Sequence, residues 1–257
     1  PRNATYGTPV RASGSSILSR TFSRRDTNNW APRLGLAYQL NPKTVLRGSA
    51  GIFYGSWGYQ AIASMGPANV PHFVNITFPS STTAAVSNLV LASGFPPGTL
   101  DPRNAQNPNA TALLPNFPVP EIYQWNLSLQ REMPGNSVFS MAYVGSGSSY
   151  LSGLLDINDA LPGPGAVNAR RPFPSFGGIN LNSAFAHSTY HSLQAKLEKR
   201  FSRGLSLLSS YTWSHGLDNS INGEDNAAGS TNPQNPRDTR AERSSSATDV
   251  RHRSVTS

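Results

Sequence analysis

Hydrophobic and polar side chains alternate with period two through much of this chain, the pattern of a strand with two unlike faces. Leu34, Leu36, Tyr38 and Leu40 alternate with Arg33, Gly35, Ala37 and Gln39. Asn41-Pro42-Lys43 is a turn signal, after which Leu46, Gly48, Ala50, Ile52 and Tyr54 alternate with Arg47, Ser49, Gly51 and Phe53. Such a unit is a hairpin. It recurs with Tyr123, Trp125, Leu127 and Leu129, a turn at Met133-Pro134-Gly135-Asn136, and Phe139, Met141 and Tyr143. It recurs again with Leu193, Ala195 and Leu197, a turn at Phe201-Ser202-Arg203-Gly204, and Leu205, Leu207, Tyr211 and Trp213, where Leu208 and Ser209 break the alternation. A seventh strand is predicted to begin near Thr248.

Each strand runs about ten residues, the length of a tilted membrane-crossing strand, against roughly 5–6 in soluble sheets. The connections are lopsided. Three are tight turns, whereas Gly55–Pro120, Ser146–Ser188 and Gly216–Ala247 are long and rich in Pro, Gly, Asn and Ser. Compact soluble domains seldom carry loops beyond about 12–15 residues. Outer-membrane barrels combine short turns at one end with long loops at the other. Tyr54, Tyr123, Trp125, Tyr211 and Trp213 fall at the strand ends far from the tight turns, where such barrels place an aromatic girdle. The pattern predicts an all-β fold: an antiparallel up-and-down transmembrane β-barrel segment of about three hairpins and a truncated strand, with long extracellular loops. Residues 1–29 are assigned to a preceding connection and 30–257 to the partial barrel.

Composition supports this. Only 13% of the 257 residues are charged and 37% are hydrophobic, with 22 Gly and 21 Pro. Helical bundles need more Leu, Ala, Glu and Lys, and no apolar run approaches the roughly 20 residues of a spanning helix. The absence of cysteine excludes disulfides and Cys-based metal or redox sites. The chain opens on Pro1 without a leader pattern and stops at Ser257 in mid-pattern, as an internal fragment would.

Several stretches resemble, in collinear order from Asn28 to the end, the Oar-like group of TonB-dependent outer-membrane receptors. They include Asn28-Asn-Trp-Ala-Pro-Arg-Leu-Gly-Leu-Ala-Tyr38, Thr44-Val-Leu-Arg-Gly48 and Gly51-Ile-Phe-Tyr54. Tyr143-Val-Gly-Ser146 with Tyr150-Leu151, Leu161-Pro-Gly163, Arg171-Pro-Phe-Pro174 and Tyr190-His-Ser-Leu-Gln194 follow. Lys199-Arg-Phe-Ser-Arg-Gly-Leu205, Ser210-Tyr-Thr-Trp-Ser214, Asn235-Pro-Arg-Asp238, Arg240-Ala-Glu-Arg243 and Asp249-Val-Arg-His-Arg253 complete the run. The resemblance implies a barrel of many strands around an internal plug, coupled to TonB through an amino-terminal segment, and import of a substrate. The expected partners are outer-membrane lipid, the plug and the remaining strands of the parent protein, and the TonB complex. The expected location is the outer membrane of a Gram-negative-type bacterium. Leu34, Leu36, Leu127, Leu129, Leu205 and Leu207 would face lipid; Arg33, Arg47, Gln124, Asn126, Gln194 and Lys196 would line the lumen.

Other chemistry is thinner. His187 and His191 stand four apart on a strand rather than a helix, so their imidazoles do not converge on a metal. Asp218-x-Ser220-x-Asn222-Gly223 resembles half a calcium loop, but its twelfth position is Gly229 where a bidentate Glu is required; Glu224 and Asp225 remain as loop carboxylates. Glu198 lies between Lys196 and Arg200 at alternate positions, which suits charge pairing. The net charge of +8 and the clusters Arg24-Arg25, Arg170-Arg171 and Arg237 to Arg253 lack the helix, stacking platform or zinc frame of a nucleic-acid site; they fit anionic headgroups or ligands. No catalytic residue, cofactor or metal site is assigned, no nucleic-acid partner is expected, and the chain is read as no enzyme. The alternative reading is a secreted β-sandwich or adhesion-type binding module, and a loop-based hydrolase lacks an identifiable nucleophile–base pair.

Overall fold

The computed structural model describes residues 14–16, 26–55, 69, 94–95, 97–98, 101, 105, 107–114, 116–202, 204–219 and 232–257. Most of the predicted 1–29 connection, the Arg24-Arg25 pair, most of the Gly55–Pro120 loop and the calcium-like Ser220–Gly229 stretch lie outside them. The strands are β1 Arg33–Asn41, β2 Thr44–Tyr54, β3 Ala110–Leu113, β4 Glu121–Met133, β5 Ser137–Asp156, β6 Ile179–Ser202, β7 Leu205–Asp218, β8 Ser244–Ser245 and β9 His252–Thr256; a single turn of helix, α1, spans Val167–Arg170. The sheet order is β1-β2-β4-β5-β6-β7-β8, with β3 on β6 and β9 on β7. The chain divides into two compact units.

One unit holds residues 26–57, 118–153 and 184–257. Its antiparallel ladders keep the predicted faces in register. Leu34 pairs with Ala50, Leu36 with Gly48 and Tyr38 with Leu46; Gly48 pairs with Leu127 and Ala50 with Trp125; Leu127 pairs with Tyr143. The turns fall where predicted, with Gly135 at φ 78°, Asn136 at 56° and Gly204 at 80°, the left-handed geometry that Gly and Asn tolerate. Leu208 and Ser209 do not break the ladder: Leu197 faces Ser209 and Glu198 faces Leu208. Ser209 therefore sits on the apolar face, where its hydroxyl meets Thr256 Oγ1 at 3.3 Å. Pairing keeps two hydroxyls satisfied in apolar surroundings.

Among the described residues, none forms a layer over this apolar face. Leu34 is 78% exposed, Leu36 66%, Leu127 54% and Trp213 55%. Ala186 is the buried hydrophobic residue among the described ones. A soluble sheet buries such a face against another element. Two large rings instead lie across bare backbone of their own sheet. A Cβ at Gly145 would fall 2.4 Å from the Trp125 ring, and one at Gly153 would fall 2.4 Å from Phe185. Trp125 and Gly145 are direct cross-strand partners, so glycine leaves room for the indole to lie flat.

The last strand comes in two pieces that flank the predicted start near Thr248, β8 ending at Ser245 and β9 beginning at His252. Leu217 pairs with Ser245 but Trp213 pairs with His252, so the β8-to-β9 path is longer by three residues than the β7 stretch it faces. The excess forms a strap over 246–251. It takes the place of ladder bonds: Ser246 N donates to Gly216 O, Ser214 N donates to Arg251 O, and Gly216 N donates to Asp249 Oδ1 at 2.9 Å.

The other unit holds residues 1–25, 58–117 and 154–183. It contains β3 and only the far ends of β5 and β6, residues 154–156 and 179–183. β5 and β6 were expected to stop near Ser146 and start near Ser188, yet they are 20 and 24 residues long. β7 pairs with β6 no higher than Ser188, and β3 runs parallel to Ile179–Asn182 of β6.

Candidate functional site

The site with functional potential is the polar face of the sheet. Arg33, Arg47, Gln124 and Asn126 fall on it by strand register, and the contact of Tyr143, opposite Leu127, with His191 sets Gln194 and Lys196 on the same side. Neighbouring strands put their polar side chains within reach of one another. Arg47 Nη1 donates to Gln130 Oε1 at 2.7 Å, and Asn126 Nδ2 donates to Ser49 Oγ at 2.5 Å. The Arg33 guanidinium stacks over the Phe53 ring at 4.6 Å. It crosses Gly51, where a Cβ would come within 3.0 Å of Arg33 Cγ. Lys196 Nζ lies 3.0 Å from Glu198 Oε2, the pairing expected from their alternate positions. Arg253, opposite Thr212, adds another cation. The wall is polar, hydrogen-bonded and cationic, with Leu208 and Val255 as apolar interruptions that the alternation alone left ambiguous.

At the loop end, Tyr54 donates from its hydroxyl to Trp30 O at 2.9 Å, and the Tyr123 hydroxyl donates to Glu121 Oε2. Asp26 Oδ2 accepts from Val119 N at 3.3 Å. These bonds tie the entry of β1 and β4 together. Tyr150 has φ 60°, a strained value for a bulky side chain.

The unit holding 154–183 has its own scaffold. Asn158 is 0% exposed. Its Nδ2 donates to Phe173 O at 3.0 Å, Phe176 O at 3.3 Å and Gly177 O at 2.6 Å, and its Oδ1 accepts from Phe173 N at 2.7 Å. Arg171 Nη1 donates to Asn158 O at 2.8 Å and lies 3.8 Å from Asp156 Oδ2. Asp156 Oδ1 accepts from Ile179 N at 2.9 Å. One buried amide thus gathers the Pro- and Gly-rich loop into a fixed shape, since each buried polar group finds a partner. The Arg170-Arg171 pair, read from sequence as suited to anionic headgroups or ligands, makes contacts within this loop: Arg170 Nη1 donates to Leu161 O.

Among the described residues no cluster of three metal-ligating side chains occurs. His191 Nδ1 sits 2.7 Å from the Tyr143 hydroxyl, while His187 N donates to Asn219 Oδ1 at 2.7 Å. His215 Nδ1 lies 2.9 Å from Asp249 Oδ2. The Gly216 N–H, and after it the His215 imidazole, hold the Asp249 carboxyl below the usual carboxylate range.

The family model described as "Outer membrane beta barrel domain" matches residues 2–257. Among solved structures, a variant of the ferric enterobactin receptor from Pseudomonas aeruginosa aligns with a TM-score of 0.43 and 13% identity, over 74% of this chain and 25% of that one. The chain thus spans about a quarter of that receptor's length. Comparison with curated proteins gives no match.

Proposed function

Since the chain belongs to the outer membrane β-barrel domain family and so lies in the outer membrane, we propose that it forms part of the wall of a TonB-dependent receptor of the Oar-like kind, importing its substrate past an internal plug. The observation that carries this reading is the uncovered apolar face. Leu34, Leu36, Leu127 and Trp213 are exposed on one side of a sheet whose other side is polar. In water such a patch would be a liability; against hydrocarbon it is the stable arrangement, because every second side chain meets lipid.

The polar face then lines a lumen. Arg47–Gln130, Asn126–Ser49 and Lys196–Glu198 form a hydrated wall against which a plug can rest and past which a polar solute can move. The long loops would capture that solute, held in shape by knots such as the one around Asn158. The role is binding and passage rather than catalysis. Energy would come from TonB, acting through a segment of the full-length protein.

Deleting the full-length gene tests the reading. Loss of uptake or of growth on one scarce nutrient, restored by the gene and abolished again in a strain lacking TonB, is the expected result. Uptake equal with and without TonB would overturn the coupling. Recovery of the gene product in the soluble fraction would overturn the barrel and favour a secreted binding module.

A further inference from the structure

The apolar face of β6 and β7 ends within two rows. Moving away from their tight turn, the cross-strand pairs are Leu197 with Ser209, Ala195 with Tyr211, Leu193 with Trp213, then His191 with His215, then Thr189 with Leu217. His252 stands beside Trp213 on β9. Arg243 reaches in from the long loop, its Nη2 donating to Thr189 Oγ1 at 3.1 Å. Arg251 lies 3.6 Å from Asp249 Oδ2, and the His215 imidazole meets the same oxygen. From the row of Trp213 to that of Thr189, aliphatic and aromatic side chains therefore give way to imidazoles and a guanidinium around the level of His215.

That level matches a bilayer boundary. From Leu205 to His215 the strand climbs ten residue steps of about 3.4 Å each. At the usual tilt of about 40° this lifts His215 roughly 26 Å above the turn, against an apolar band about 25 Å tall. Trp213 and Tyr211, 55% and 45% exposed, sit just below, where amphipathic rings belong.

Two of the imidazoles have Nδ1 taken by a tyrosine hydroxyl. The Tyr143 hydroxyl lies 2.7 Å from His191 Nδ1, and the Tyr211 hydroxyl lies 2.7 Å from His252 Nδ1. With each hydroxyl donating, the ring proton sits on Nε2 and is free to donate outward. Asp249 is the carboxylate in this cluster, and it is already occupied by Gly216 N, His215 and Arg251. Among the described residues no carboxylate pairs with Arg243.

We propose that His191, His252 and Arg243 form a binding site for the phosphate groups of a lipid in the leaflet at the loop side of the membrane. Guanidinium and imidazole N–H groups suit phosphate oxygens, and Leu193 and Trp213 directly below suit the acyl chains of the same molecule. A free phosphate would gain nothing from those apolar neighbours. The inference rests on the reading that the apolar face meets lipid.

The test uses the full-length gene product, purified in a neutral detergent. It is offered lipid A bearing both phosphates, or the same lipid after phosphatase treatment, and retained lipid is counted by native mass spectrometry. The protein is expected to retain the phosphorylated form at least fivefold better. The double variant Arg243→Gln, His191→Gln should lose at least two thirds of that retention, while inorganic phosphate at 10 mM leaves it in place. Heat-modifiable gel mobility reports folding separately. A protein without that mobility shift refutes the barrel reading itself. A shifted, folded barrel that retains both lipids equally, that is unaffected by the substitutions, or that releases the lipid to inorganic phosphate overturns the lipid-phosphate site alone.

Discussion

Leu127 and Asn126 are neighbours on β4 that should respond in opposite ways to the same substitution. Leu127 lies six residues from either end of the 13-residue strand and is 54% exposed. If that exposure were to water, arginine there would change stability by no more than about 0.5 kcal/mol. Against hydrocarbon near the midplane it costs about 2–4 kcal/mol. That is a factor of roughly 30 to 1000 in the folding equilibrium, since about 1.4 kcal/mol is tenfold. Asn126 faces the other side, where its amide donates to Ser49 Oγ. Arginine there loses one exposed hydrogen bond, worth about 1 kcal/mol, and keeps its charge in water. Equilibrium unfolding in urea of the full-length barrel in lipid vesicles measures both. The expected order is a large loss for Leu127→Arg and a loss of 1 kcal/mol or less for Asn126→Arg. Equal losses, or the reverse order, would refute the assignment of faces.

Three further outcomes follow from other parts of the molecule. Gly145→Val should displace the Trp125 ring, because a Cβ there falls 2.4 Å from it; a loss of about 1–3 kcal/mol together with a shifted tryptophan emission is expected, and unchanged emission would mean that the ring does not lie on Gly145. Asp249, held below the usual carboxylate range chiefly by the Gly216 N–H, stabilises the 246–251 strap above its unfolded pKa of about 3.9, and that stabilisation is lost as pH falls through the lower folded value; amide exchange at Gly216 should stay slow down to about pH 4, whereas Asp249→Asn should speed it at neutral pH. Asn158→Ala strips partners from Phe173 N and three carbonyls, each costing about 1–3 kcal/mol if left buried and unpaired; protease cleavage within 157–178 should accelerate while the heat-modifiable mobility of the full-length barrel stays as it was.

The three hairpins were legible because alternation survives wherever one face meets an apolar phase and the other a polar one. Pro42, Gly135 and Gly204 marked the turns for local reasons, each fitting a backbone shape that few residues adopt. The upper halves of β5 and β6 were missed for the converse reason. Ser146–Ser149 has no alternation to show, since a strand with no apolar phase on either side needs no apolar face, and Ile179-Asn180-Leu181-Asn182 alternates over four residues, too few to stand out from a loop. β3 pairs with a segment about 70 residues away, and nothing local announces a partner at that distance. The strap was also hidden. Thr248 already belongs to the right region, but the three-residue excess shows only once Trp213 is seen opposite His252. The six polar residues expected together do share one face, yet their pairings depend on register: Arg47 reaches Gln130 diagonally, and Arg33 finds Phe53 because Gly51 between them has no side chain. The Asn158 knot carried a faint signal in its Pro- and Gly-rich surroundings, which mark a loop without saying that it is tightly built.

The central claim is that alternate side chains of the hairpins touch hydrocarbon. Nitroxide labels placed singly at each position from 124 to 130 in the full-length barrel, reconstituted in lipid, test it most directly. Labels at 125, 127 and 129 should collide with dissolved oxygen and be shielded from a water-soluble nickel complex, and labels at 124, 126, 128 and 130 should show the opposite. Loss of that two-residue alternation, or odd-numbered labels immobilised and shielded from both reagents, would place the apolar face against protein and contradict the account.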